Sequence, residues 1–382
     1  MSTQPAPTTP SYSPGLEGVI AGASKISRVD PEKQVLTIRG YDATELARKA
    51  QFEEVAHLLV IGHLPSKSEY KTFVSGLKKH AQLPKELYAV LRALPKKTHP
   101  MDALRTGISF LSGYDAKVLD NSHDANVAKA IRLCGAVAPI VAAHWRIQHG
   151  KRPIPSNKKL SMAADFLSML TGEMPDEITE RVFNASLILY AEHGFNASTF
   201  ACRVTASTLA DIYGSIVAGI GTLKGPLHGG ANEEAMKVML KIKDPKHAEQ
   251  YILDAIVRKE KLMGFGHRVY KKGDSRVPAL KELGREYAAS QGNMKWSEMA
   301  EIMENTMVRE KGIYPNVDLP SAWIYYMMGI PIPLYTPIFA IARMSGWTAH
   351  VIEQHDNNRL IRPKSLYEGP EMLTYTPMAD RG

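Results

Sequence analysis

Cysteine is nearly absent. The 382 residues hold two, Cys134 and Cys202, far apart in the chain. That argues against a disulfide framework and fits a reducing, cytoplasmic setting. No C-x-x-C pair occurs, so a structural zinc site lacks its usual ligands. Long apolar runs are missing too: "GAVAPIVAA" at 135–143 is among the longest, far below the roughly 20 residues a membrane span needs. The opening "MSTQPAPTTPSYSP" has no charged side chain, unlike the basic start of a secretory signal or the arginine-rich start of a mitochondrial one. Residues 1–20 read as a disordered tail. No internal repeat is present, which argues against a solenoid. Finally, the net charge of +8 is spread along the chain. With no zinc-finger, RRM or basic-zipper pattern, small anionic ligands are expected rather than nucleic acid.

What remains is the composition of an ordinary soluble protein, 44% hydrophobic and 23% charged, with a dominant helical period. Residues 26–39, "ISRVDPEKQVLTIR", read as two short strands around a Pro-Glu-Lys turn. Asp42 and Glu45 have the spacing of a capping box. "FEEVAHLLVIG" then repeats apolar residues at Val55, Leu58 and Leu59 until Pro65. Helical stretches are expected at 67–81, 84–94, 100–113, 124–149, 159–171, 176–191, 197–221, 232–243, 246–262, 277–290, 295–311, 321–329 and 337–357. The fold class is therefore all-α, mainly helical, with a short N-terminal β-hairpin. A chain of this length suggests two domains. Glycine and proline cluster at 221–230 and in "GIPIPLYTP" at 329–337, so the expected division is a small helical domain at 225–330 and a large one built from 21–224 and 331–382. The stretch 146–158, "RIQHGKRPIPSNK", reads as a solvated basic loop.

Three polar residues occupy unusual backbone contexts. His228 lies in "GPLHGGANEEAM", framed by Gly225, Pro226, Gly229 and Gly230, just before a helix with Glu233 and Glu234 in its first turn and Lys241 and Lys243 in its last. The positive end of that helix disfavours an imidazolium, so the ring should stay neutral and donate one N–H. The glycines admit a close ligand; alternatively the histidine is incidental to a glycine turn. His267 lies in "GFGHRVYKKGDSR" after Gly264 and Gly266, with Arg268, Lys271, Lys272 and Arg276 following. Cations at that density suit a phosphate or carboxylate ligand, or belong to a solvated loop. Asp318, in "YPNVDLPSAW", precedes Leu319, Pro320 and an apolar helix. It reads either as an N-cap or as a carboxylate whose apolar neighbours Val317, Leu319, Trp323 and Ile324 raise its proton affinity. In "IARMSGWTAHVIEQHDNNRLIRP", His350 and His355 are five apart and do not share a helical face, so no metal is expected from His350, Glu353 and His355.

These pieces together resemble one family. "LHGGANE", "GFGHRVY", "YPNVD" and "RPKS" around Arg362 are similar to citrate synthases, as are "RGYD", "FEEVAHLL", "HPMDALRTG", "YAEHGFNAST" and "FAIARMSGWTAHVIEQ". The resemblance runs through nearly the whole chain after the first twenty residues. It implies a nearly all-helical homodimer with a large and a small domain that joins acetyl-CoA to oxaloacetate, giving citrate and CoA. It implies Asp318 as the base that takes a methyl proton. His228 would be the donor to the thioester oxygen and His267 the donor to the ketone oxygen of oxaloacetate. His193, Arg276, Arg343 and Arg362 would hold the dicarboxylate, with Arg362 reaching the partner subunit's site. Lys261, Leu262, Met263, Gly264 and Phe265 match the segment along the CoA adenine. CoA would be a substrate carrier, with no separate cofactor or metal.

One departure concerns the acyl pocket. The position after the family's aspartate is often aromatic, and here it is Leu319 followed by Pro320. A 2-methylcitrate synthase acting on propionyl-CoA with the same residues is therefore the rival reading. "YPNVD" and "DNNRLIRP" lean toward citrate. One methylene is discriminated by only about 1–3 kcal/mol. A helical scaffold without activity is the remote alternative.

Overall fold

The fold was obtained as a computed structural model that describes residues 12–267, 270 and 272–382. The expected hairpin forms from β1 (Ser27–Asp30) and β2 (Val35–Ile38), with Asp30 opposite Val35. Leu36 and Ile38 are buried while Val35 and Thr37 are partly exposed, the alternation a one-sided sheet requires. A third strand not expected from the sequence, β3 (Tyr41–Asp42), pairs with β2.

Asp42 caps α1 (Ala43–Lys49), accepting the N–H groups of Thr44 and Glu45 at 2.7 and 3.1 Å. The reciprocal half of the expected capping box is replaced by an ion pair from Glu45 to Lys49 at 2.8 Å. α2 (Phe52–Ile61) stops at Gly62, whose φ of 107° only glycine adopts easily, rather than at Pro65. Then follow α3 (Lys67–His80), α4 (Lys85–Ala93), α5 (Pro100–Ser112), α6 (His123–Gln148), α7 (Met162–Thr171) and α8 (Glu177–Ala191). α6 is long and apolar enough to cross a bilayer, but 78% of its most apolar window is buried inside the protein. It is a core helix.

The helix expected over 197–221 is two helices, α9 (Ala197–Ser207) and α10 (Ile212–Leu223). Leu209 adopts a left-handed φ of 65°, and Asp211 starts α10 by accepting the N–H of Gly214 at 3.0 Å. A capping aspartate outcompetes continued helix at that point. The chain continues through α11 (Ala231–Ile242), α12 (Ala248–Val257), α13 (Val277–Ser290), α14 (Lys295–Lys311), α15 (Asp318–Met327) and α16 (Tyr335–Asp356). α16 is buried along nearly its whole length and packs against α6, α8 and α9. Trp323 of α15 and Trp347 of α16 are among the largest fully buried side chains; burial of groups this size supplies much of the fold's stability.

The basic loop after α6 keeps Lys151, Arg152, Lys158 and Lys159 exposed, as expected, yet it is fastened at both ends. Arg146 donates to the carbonyls of Arg152 and Leu170. Asp165 accepts Ser156 Oγ at 2.6 Å, Asn157 N at 2.8 Å and the buried Lys78 ammonium at 2.8 Å. The last residues, 357–382, are almost all exposed and form no α-helix or strand.

Candidate active site

Tight backbone geometry places His228. Gly229 N donates to Leu223 O at 2.9 Å, and a Cβ at Gly229 would lie 2.5 Å from that oxygen. Only glycine closes this turn, which sets His228 three residues before α11. The ring is half-buried rather than at the exposed tip of the turn. Burial, and then the charge of Arg343, push its pKa down to about 4. The expected neutral imidazole is present, and these two effects are its main causes. The backbone N–H of Ser198 points at Nε2 at 3.3 Å. A peptide N–H can only donate, so Nε2 accepts and the ring proton sits on Nδ1. Ser198 Oγ is also 2.8 Å from Nε2, and it receives Trp347 Nε1–H at 3.1 Å.

His267 follows a short antiparallel pairing of 264–266 with 314–316. Gly266 N donates to Tyr314 O at 2.8 Å and Asn316 N to Gly264 O at 3.0 Å. Gly264 has φ +89°, and a Cβ there would press on Ala235 and Leu319 at 3.2 Å. This pairing ties His267 to the residues just before Asp318. Tyr270 N donates to His267 Nδ1 at 3.0 Å, leaving the proton of a neutral ring on Nε2. The His267 and His193 rings meet edge to face at 5.0 Å. Within the same segment Lys261 is exposed, Leu262 and Gly264 are buried, and Met263 and Phe265 are half-buried. Arg268 and Lys271 lie outside the described residues.

Asp318 is the first residue of α15, but it is not a cap. Val317 holds the N-cap position with no side-chain bond, and Asn316 Oδ1 accepts the Asp318 N–H at 3.0 Å. The Asp318 carboxylate is instead turned into the core, 9% exposed, where Oδ1 accepts the Tyr190 hydroxyl at 2.8 Å. Burial raises its pKa to about 6, against the lowering effects of Tyr190 and Arg276. It is thus ionised at neutral pH yet more basic than an ordinary carboxylate.

Buried cations and donors surround this carboxylate. Arg276 is clamped by Asp274 through two bonds, Nε to Oδ1 at 2.9 Å and Nη2 to Oδ2 at 2.7 Å. Arg343 is 1% exposed; burial lowers its pKa to about 10, Glu192 opposing this most. Its Nε donates to Tyr190 O at 2.7 Å, while Nη1 is buried without a partner. His193 Nε2 is likewise buried and unpartnered, and burial followed by the charge of Arg276 pushes this ring's pKa well down. Buried polar atoms are seldom left unpaired inside a protein, so these two mark a binding site for a polar ligand. Phe339 joins the parts: it lies 4.3 Å from the Tyr190 ring and 6.2 Å from that of His228, with the Arg343 guanidinium 4.8 Å over its face.

His193, His228, His267, Arg276, Asp318 and Arg343 are therefore linked through direct contacts or shared neighbours. Arg362 is not among them. It is exposed on the C-terminal segment, with a 3.4 Å hydrogen bond to Pro363 O. Sequence reasoning missed the roles of Tyr190, Ser198, Asp274 and Phe339. Asp274 was the most readable of these, standing two residues before Arg276 inside a stretch already singled out. Among the described residues no cluster of His, Cys, Asp and Glu could hold a metal.

Comparison with known proteins identifies the family. The family model described as citrate synthase, C-terminal domain, matches residues 15–364. A citrate/2-methylcitrate synthase of Bacillus subtilis is 47% identical over 95% of this chain and 98% of its own. A 2-methylcitrate synthase of Corynebacterium glutamicum is 43% identical over 96% of this chain and 98% of its own. Citrate synthase from Thermoplasma acidophilum, solved as a ternary complex with carboxymethyl coenzyme A and oxaloacetate, superposes with a TM-score of 0.91 at 33% identity, covering 98% of this chain and all of its own. The chain belongs to the citrate synthase family.

Proposed function

We propose that the protein condenses acetyl-CoA with oxaloacetate and water to give citrate and CoA. The observation that carries this reading is one site holding a neutral His228, a second histidine and a buried carboxylate at about 6. The methyl group of a thioester is too weak an acid for a base alone. Asp318 takes a methyl proton while His228 Nδ1–H stabilises the oxygen on which charge develops, an effect worth roughly 3–4 kcal/mol per donor. The enol carbon then attacks the ketone of oxaloacetate. His267 Nε2–H hydrogen-bonds the ketone oxygen and protonates it as the C–C bond forms. Water finally cleaves the thioester, releasing CoA. Arg276, Arg343 and His193 bind the oxaloacetate carboxylates and ketone side; residues 261–265 line the CoA adenine. CoA serves as the acyl carrier, and no metal or further cofactor enters the scheme.

Propionyl-CoA is the second acyl donor to consider, because relatives at 43 and 47% identity carry 2-methylcitrate in their names. The reading includes a homodimer with shared sites. Arg362 is exposed in its own chain, and neighbouring Leu360, Leu366, Tyr367 and Leu373 are 59–79% exposed, which suits a segment covered by a second copy. The test is kcat/KM for acetyl-CoA and propionyl-CoA with oxaloacetate, following free thiol without added metal. A higher value for acetyl-CoA supports citrate synthesis, and a higher value for propionyl-CoA supports 2-methylcitrate synthesis. Absence of thiol release with either substrate refutes the function.

A further inference from the structure

The pocket leaves one buried charge unexplained. Glu192 is fully buried, directly before His193. Its Oε1 accepts three groups: Gly194 N at 2.6 Å, Ser27 Oγ at 2.9 Å and His350 Nε2 at 3.0 Å. Gly194 N also reaches Ser27 Oγ at 3.0 Å. Both residues that flank His193 are thus tied to one carboxylate oxygen and to the N-terminal hairpin.

His350 is held in turn. Arg203 Nη1 lies 3.1 Å from His350 Nδ1 and 2.7 Å from Glu353 Oε2. A guanidinium only donates, so Nδ1 accepts and the Nε2 proton points at Glu192. This gives work to the His350 and Glu353 pair that metal binding does not explain. Gly346, between Arg343 and His350 on α16, completes the contact. A Cβ there would stand 2.3 Å from Ala191 O and 2.5 Å from Glu192 Oε2. Helix α16 therefore meets residues 190–194 at three successive turns: Arg343 on Tyr190 O, Gly346 against Ala191 and Glu192, and His350 on Glu192.

We propose that Glu192 is a positioning residue for the oxaloacetate pocket: through Ser27, Gly194 and His350 it locks residues 192–194 to α16 and so sets the spacing of the His193 and Arg343 side chains. This rests on the condensation reading. Glu192 touches no reacting atom, so its effect falls on oxaloacetate and not on the acyl-CoA.

The experiment uses the full-length protein with Glu192→Ala and Glu192→Gln, measuring KM for each substrate with the other saturating, kcat, thermal stability, and oxaloacetate affinity by calorimetry. Glu192→Ala is expected to raise the oxaloacetate KM and dissociation constant at least about tenfold, with kcat and the acyl-CoA KM within about threefold. Glu192→Gln keeps an oxygen acceptor and is expected to recover most of the loss. An oxaloacetate KM within about twofold of wild type in Glu192→Ala overturns the proposal. So does a parallel rise of both KM values, or a Gln variant as defective as the Ala variant. Should Glu192→Ala fail to fold, Ser27→Ala removes one of the three bonds: a rise of about threefold in the oxaloacetate KM alone supports the proposal, and no change overturns it. A wild-type protein that releases no thiol refutes the condensation instead, and the calorimetric comparison still decides the role of Glu192.

Discussion

Replacing Asp318 by asparagine is expected to make the protein more stable while removing its turnover. A carboxyl whose pKa is pushed from 3.8 to about 6 is penalised for ionising inside the fold, by about 3 kcal/mol at 1.36 kcal/mol per pH unit. The sign follows from the direction. The folded-state pKa is above the unfolded one, so the favourable contribution of the protonated form is complete below 3.8 and is lost as pH rises through 6. Asparagine keeps an oxygen to accept the Tyr190 hydroxyl and never ionises. Its advantage should therefore be small near pH 4, amount to about half its full size at pH 5, and level off above pH 7. The measurement is urea unfolding at fixed protein concentration from pH 5 to 8, beside thiol release. Loss of a positioned base lowers kcat by roughly 10²–10⁴-fold. A variant no more stable than wild type at pH 8 refutes the buried-charge argument, and near-wild-type kcat refutes Asp318 as the base.

Removing the Tyr190 hydroxyl with Tyr190→Phe takes a hydrogen bond from the ionised Asp318, so the acid limb of the kcat/KM profile should move up from about 6 by roughly one pH unit or more; an unmoved limb means that Tyr190 does not tune the base. Arg362→Ala and His228→Ala, each nearly inactive alone, should regain about a quarter of wild-type activity when unfolded together and refolded, because half the dimers are mixed and each has one intact site of two. Activity no higher than the separate mutants, with mixed dimers confirmed by mass, refutes a shared site. Lys78→Ala strands the buried Asp165 carboxylate and should lower stability by about 3–5 kcal/mol with kcat unchanged; a loss below about 1 kcal/mol in denaturant unfolding would mean that water reaches the pair.

Local signals carried most of the outline. Glycines at 225, 229, 230, 264 and 266 announced two backbone turns that present histidines, and helical periodicity located most helices within a few residues. Readings stayed open or went astray where two local rules competed. Asp318 has the residue type of an N-cap, but a cap must turn its side chain back on the first helical N–H groups. Asn316, two residues earlier, accepts the Asp318 N–H, and the Asp318 carboxylate turns inward to Tyr190. Asp211 shows the reverse error: its capping spacing to Gly214 was present, but the apolar period ran through it.

The supporting groups were hidden for a different reason. Tyr190 and Asp318 are 128 residues apart, and Glu192 and His350 are 158 apart. Nothing in the local sequence distinguishes a tyrosine that will meet a carboxylate from one that will pack in a core. The reactive groups must sit where a ligand can reach them, so glycine turns and helix starts mark them along the chain. The groups that hold them need only be near in space, and burial is what decides their protonation. The pKa of about 4 at His228 and about 6 at Asp318 both come chiefly from loss of solvent. The same burial keeps an imidazole neutral and makes a carboxylate basic, because in each case it disfavours the charged form. Burial within one site thus prepares a neutral donor and a stronger base together, on residues drawn from α8, α15, α16 and the turn before α11 rather than from any one motif.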